Sequence, residues 1–170
     1  LSKNEAMLDP LASTNAQHYY PILRKAEVFL NYAEAANEAW GPKGKDPDGI
    51  CKFTAYQVIK TIRQTSGGIT DTKYLDEMAA SKESFRILIQ NERRLELAFE
   101  NQRYYDMRRC LLPLNEAVKG VLVTKEGDDL IYTFQKVEDR KFDGIRYYYS
   151  PLPYYECVKN PNLVNNLGWK

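Results

Sequence analysis

Two carboxylates, Glu92 and Glu96, stand where a helix of this sequence should bury apolar side chains. From Lys82 to about Asn101 the spacing predicts a helix, with Phe85, Leu88, Leu95 and Phe99 on one arc of its wheel. Glu92 and Glu96 fall on that arc, Arg93 and Glu100 border it, and Ile87, Leu97 and Ala98 cover the far side. A charge on a buried face is costly unless it is paired and hydrogen-bonded. Partners are close at hand in Arg93, Arg94, Arg103, Arg108 and Arg109, and in Arg24 from an earlier helix. The pattern predicts a partly buried ion network drawn from Arg24, Glu27, Glu34, Glu92, Arg93, Glu96, Glu100, Arg103, Asp106 and Arg109, tying stacked helices together.

The rest of the chain supplies helices to stack. One is expected after Pro21, running to about Trp40 and stopped by Gly41-Pro42. Ala26, Phe29, Leu30, Ala33 and Trp40 form one apolar stripe, and Val28, Tyr32, Ala35 and Ala39 a second. A polar row of Arg24, Glu27, Asn31, Glu34 and Glu38 lies between them. A helix apolar on two sides is expected to sit between neighbours. After a turn-rich loop over residues 41–52, a second helix from about Thr54 to Thr65 presents Tyr56, Ile59 and Ile62 and ends at Ser66-Gly67-Gly68. Residues 69–81 read as a connection. Ser81 reads as an N-cap whose N3 residue, Ser84, lacks the carboxylate of a capping box, while Glu83 suits the helix dipole.

Past Asn101 a short helix is expected through Tyr104–Arg109. Val118–Val123 and Ile131–Val137 flank Gly127-Asp128-Asp129 and predict a hairpin. Tyr147 to Trp169, with Pro151, Pro153 and Pro161, should be ordered but irregular, and residues 1–18 irregular. The fold class is thus mainly α, with an irregular, minor-β C-terminal region.

Several function classes are disfavoured. The net charge is +1, so no global field draws in nucleic acid. No stretch of eighteen apolar residues occurs. The chain starts Leu1-Ser2-Lys3-Asn4, neither a signal peptide nor an initiator Met, as expected of a piece excised from a longer protein. Cys51, Cys110 and Cys157 match no zinc spacing, and their pairing is left open. The sole His, His18, belongs to no Glu-x-x-His pair, and no cofactor motif is present. Glu92 and Glu96 also pose a glycosidase question, because carboxylates at i and i+4 lie about 6 Å apart. Surrounding arginines argue against it, since they keep both groups ionised where a general acid must be protonated.

One stretch carries a resemblance: Asn91-Glu92-Arg93-Arg94-Leu95-Glu96-Leu97-Ala98-Phe99-Glu100-Asn101-Gln102-Arg103-Tyr104-Tyr105-Asp106-Met107-Arg108-Arg109. It resembles the signature ERRxELxFExxRxxDxRR of the SusD/RagB family. Residues 20–35, the helix end Ile62-Arg63-Gln64-Thr65-Ser66-Gly67, Pro151-Leu152-Pro153 and the closing Asn160-Pro161-Asn162-Leu163-Val164-Asn165-Asn166-Leu167-Gly168-Trp169 resemble further family motifs in the family's order. Gln64 and Ser66 depart from the pattern. The resemblance spans residues 19–170, the C-terminal domain of such a protein. It implies part of a tetratricopeptide-like α-superhelix from a non-catalytic lipoprotein. Such a protein is anchored in the outer membrane through an N-terminal lipid outside this chain, and faces outward. It binds an oligosaccharide or other nutrient and delivers it to a SusC-like TonB-dependent transporter. A helical-repeat scaffold for a protein or peptide is the alternative, and a glycoside hydrolase a more distant one. Part of a superhelix also exposes a face that its partner repeats would cover.

Sugar binding asks for a flat aromatic and planar polar groups. Thirteen Tyr, six Phe and two Trp make aromatics plentiful, though most are expected to pack. Trp40, beside the 41–52 loop, Asp46 and Asp48 within it, and Tyr74 in the 69–81 connection are the ligand-binding candidates.

Overall fold

The computed structural model describes residues 22–142 and 144–169. The expected irregular segment 1–18, with His18, lies outside them. The chain forms two compact units that divide after Leu97.

The first unit holds α1 (Lys25–Trp40), α2 (Ala55–Thr65), α3 (Lys73–Met78) and α4 (Lys82–Glu96). α1 packs against both α2 and α4. It does so through one face, Leu30, Ala33, Ala36 and Asn37, all buried. The second apolar side was expected to pack as well. Instead Val28, Ala35 and Ala39 are exposed and Tyr32 is half-buried, and of the first stripe Phe29 is exposed too, because both neighbours pack on a single face centred on Leu30, Ala33, Ala36 and Asn37. The core is completed by Val58, Ile59, Ile62, Leu75, Phe85, Leu88, Ile89 and Leu97.

Capping fixes where the helices begin. The Thr54 hydroxyl accepts from Gln57 N at 3.2 Å, and the Gln57 side chain accepts from Thr54 N at 2.9 Å. At α4 the missing carboxylate is replaced by a hydroxyl. Ser81 Oγ accepts from Ser84 N at 3.1 Å, and Ser84 Oγ accepts from Ser81 N at 3.3 Å. The 69–81 connection contains α3, a six-residue helix too short for its period to stand out in the sequence.

α4 stops five residues before the expected Asn101. Phe99 and Asn101 take φ of 65° and 62°, in the left-handed region, which a helix cannot include. Phe99, placed on the buried arc by the wheel, is consequently fully exposed, and Leu95 is exposed as well. The buried stripe is instead Phe85, Leu88, Ile89, Glu92 and Arg93. Leu97, expected on the far side, closes the core from the helix end.

The second unit contains α5 (Gln102–Arg109), an antiparallel hairpin of β1 (Val118–Glu126) and β2 (Asp129–Glu138), a 3₁₀ turn (Ile145–Tyr148) and α6 (Tyr154–Lys159). The strands are longer than expected and joined by the two-residue turn Gly127-Asp128, with Gly127 at φ 64°. Residues 147–169, expected to be irregular, include α6. The rest is held by side-chain bonds to backbone: Leu152 N to Asn165 Oδ1 at 2.8 Å, Asn166 Nδ2 to Ser150 O at 2.6 Å, and Trp169 Nε1 to Tyr149 O at 2.9 Å. Gly168, at φ 86°, makes this close approach possible: a Cβ there would lie 2.7 Å from Arg146 Cβ.

Candidate functional site

The signature carboxylates of α4 are held by arginines from elsewhere in the first unit. Arg24, just before α1, donates from Nη1 to Glu96 Oε1 at 3.2 Å and from Nη2 to the Glu96 carbonyl at 2.6 Å. Glu92 is paired with Arg63 of α2, the two side chains only 9% and 13% exposed. Arg93 is buried and donates to Asn31 Oδ1 of α1 at 2.6 Å. Arg86 grips Glu38 with both arms of its guanidinium, at 2.6 and 2.7 Å. That grip holds the Glu38 carboxyl below the usual carboxylate range. Asn37, fully buried, donates to the Lys82 carbonyl at 3.0 Å.

Within the second unit, buried Asp106 accepts from Arg109 at 2.8 Å. Glu34 and Glu100 are half-buried. Among the described residues Glu27 and Arg103 make no ion pair. Glu27 lies in the first turn of α1, where the helix dipole itself favours a carboxylate. Arg63, Arg86 and Glu38 are the ties that the sequence reading did not place in the network.

The ligand-binding candidates lie around α2 and α3. Trp40 is half-buried and packs on the core, which leaves only part of its ring to solvent. The loop after it folds back tightly: a Cβ on Gly44 would lie 1.8 Å from the Trp40 carbonyl oxygen. Asp46 organises that loop, its carboxylate accepting from Asp48 N at 3.0 Å and Cys51 N at 2.8 Å. These bonds, the one from Cys51 foremost, lower its pKa. Asp48 is exposed. Tyr74 is 47% exposed, with the Arg63 guanidinium 5.7 Å from its ring centroid. Among the described residues no hydrogen bond or ion pair links Trp40 or Tyr74 to Asp46 or Asp48.

A second aromatic–polar group joins the 41–52 loop to α3. Tyr56 OH donates to Asp76 Oδ1 at 2.9 Å, Lys43 Nζ lies 3.2 Å from the same oxygen, and Lys43 sits 4.7 Å over the Tyr56 ring. The Tyr56 bond is the main reason the Asp76 carboxyl titrates low. Only the placement of Asp76 in the 69–81 connection could have drawn attention to it. Tyr74 thus offers a half-exposed aromatic face next to the Arg63 guanidinium, and Tyr56, Lys43 and Asp76 form a cluster of their own between the loop and α3.

A model of the SusD family matches residues 5–169. SusD-like protein P2 of Formosa agariphila is 31% identical over 161 residues, which cover 93% of this chain and 26% of that protein. The crystal structure of a SusD-like protein from Bacteroides fragilis matches with a TM-score of 0.61 and 33% identity, over 87% of this chain and 25% of that one. The chain spans about a quarter of the length of these relatives.

Proposed function

The chain belongs to the SusD family, and from that membership we propose that it is part of a cell-surface protein that binds glycans and delivers them, without catalysis, to a TonB-dependent outer-membrane transporter of the SusC type. The parent protein is held on the outer leaflet by an N-terminal lipid. The observation that carries the non-catalytic part is the state of the signature carboxylates. Glu92 is engaged by Arg63 of α2 and Glu96 by Arg24 at the start of α1, so both carboxylates tie helical elements together and are not presented to an open cleft. The exposed aromatic face of Tyr74, next to the Arg63 guanidinium, supports a sugar-contacting surface.

The test uses the full-length parent. Its binding to a panel of oligosaccharides, and its copurification with a transporter barrel from outer membranes, are expected without release of reducing ends. A silent panel combined with a retained peptide ligand would favour the helical-repeat scaffold instead. Turnover of any glycan, lost in Glu92→Gln with the fold intact, would establish the hydrolase reading.

A further inference from the structure

The second unit contains a cavity of about 420 Å³ between α6 and the closing turn, lined by Pro151, Pro153, Tyr154, Cys157, Asn165 and Trp169 among others. That volume lies in the range of small-ligand pockets. By contrast, the apolar cleft between α1 and α2, at Phe29, Phe53 and Val58, offers about 150 Å³ and no charged group.

The lining is arranged rather than incidental. Trp169 is pinned at its indole N–H, which donates to the carbonyls of Tyr149 at 2.9 Å and Arg146 at 3.2 Å. Its ring is therefore a fixed platform. Pro151 and Pro153 have locked φ angles and form stiff walls. Asn165 Oδ1 accepts from both Leu152 N and Asn166 N, at 2.8 and 2.9 Å. Those two donors settle which end of the amide is oxygen. They leave the Asn165 Nδ2 group as a donor with no partner among the described residues. None of the lining residues is charged.

We infer that this pocket holds one uncharged sugar ring of the glycan, a contact point separate from the surface around Tyr74. The C–H face of the ring lies on the Trp169 indole, Tyr154 closes the rim, and a hydroxyl accepts from Asn165 Nδ2. A purely apolar ligand would leave that amide unpaired, and a uronic acid would find no cation. The inference rests on the glycan-binding reading given above.

Cys157, in the pocket wall and half-buried, supplies the readout. Alkylation of the complete protein by N-ethylmaleimide is followed by peptide mass spectrometry, with and without an oligosaccharide shown by calorimetry to bind. At about ten times its Kd, the glycan should slow modification of Cys157 about tenfold. Cys110 should react at an unchanged rate. Tyr154→Ala, at a side chain that is 82% exposed, should keep the circular dichroism spectrum and lose most of the protection. Calorimetric binding with Cys157 unprotected overturns the pocket while glycan binding stands. Protection that survives unchanged in Tyr154→Ala also overturns it. Failure of every neutral glucose, xylose, galactose and mannose oligosaccharide to bind overturns the glycan reading, and the pocket with it.

Discussion

Arg63 of α2 and Glu92 of α4, twenty-nine positions apart in the sequence, close a salt bridge whose two side chains are almost wholly removed from solvent. The pair binds the second helix to the fourth at the level of the Ile59, Ile62 and Ile89 core. Removing one partner leaves the other as an uncompensated buried charge. Arg63→Ala should therefore cost about 3–5 kcal/mol, measured by urea unfolding. The double replacement Arg63→Met, Glu92→Leu should recover much of that loss. A cost under about 0.5 kcal/mol for Arg63→Ala would show instead that water reaches the pair.

The Arg86–Glu38 grip is of a different kind. Both side chains are about 40% exposed, so the pair is worth no more than about 1 kcal/mol. Arg86 lowers the folded-state pKa of Glu38 from its ordinary value near 4.5. The contribution is therefore fully present above that pH and is lost as pH falls through the lower folded value. Glu38→Gln should lose a little stability at pH 7, and on acidification it should lack only the part of the acid-induced loss that Glu38 contributes. The stability difference between wild type and variant should shrink steadily below about pH 4.5. A difference constant from pH 7 to 3 would contradict this.

Elements whose cause is local were legible in the sequence. Gly127-Asp128 between β-branched runs fixes the hairpin, and Ser81 fixes the start of α4. The strained end of α4 was not legible. Ala98-Phe99-Glu100 has good helix propensity, and the left-handed φ of Phe99 is imposed without any glycine or proline to announce it. The ion network was half legible. A carboxylate on an apolar arc demands a partner, which identified Glu92 and Glu96. Which arginine answers depends on how helices pack, and so Arg63 was passed over in favour of Arg103, which makes no ion pair among the described residues. The sugar-contact candidates were read from residue type and from their places in or beside the two loops. Trp40 turned out to give part of its ring to the core, and Asp46 its carboxylate to its own loop.

The role of Asp46 can be separated from global stability. Its carboxylate accepts two backbone N–H groups and orders the turn over residues 46–51. Asp46→Ala should raise amide exchange at Asp48 and Cys51 by about tenfold or more, in line with the loss of both acceptors. Exchange in α1 and α4 should not change. If the loop shapes the sugar-contacting surface, glycan affinity falls in parallel, and Asp48→Ala, at an exposed side chain, leaves the loop ordered. Unchanged exchange in Asp46→Ala would show that the loop is held by its backbone turns alone.

Gly168 offers the sharpest test of the C-terminal closure. Its φ of 86° is in a region that L-residues enter at a cost of about 1–2 kcal/mol. An added Cβ would also meet Arg146 Cβ at 2.7 Å and Arg146 N at 3.2 Å, with backbone on one side and no free space to yield. Gly168→Ala should therefore destabilise the second unit by about 2 kcal/mol or more. It should also displace Trp169, whose indole N–H depends on the carbonyls of Tyr149 and Arg146. In a Trp40→Phe background, Trp169 is the sole indole emitter, and its emission should shift to longer wavelength as water reaches the ring. An Ala variant with unchanged emission and unfolding midpoint would mean that the closing turn does not need its glycine, and that Trp169 is held by other contacts.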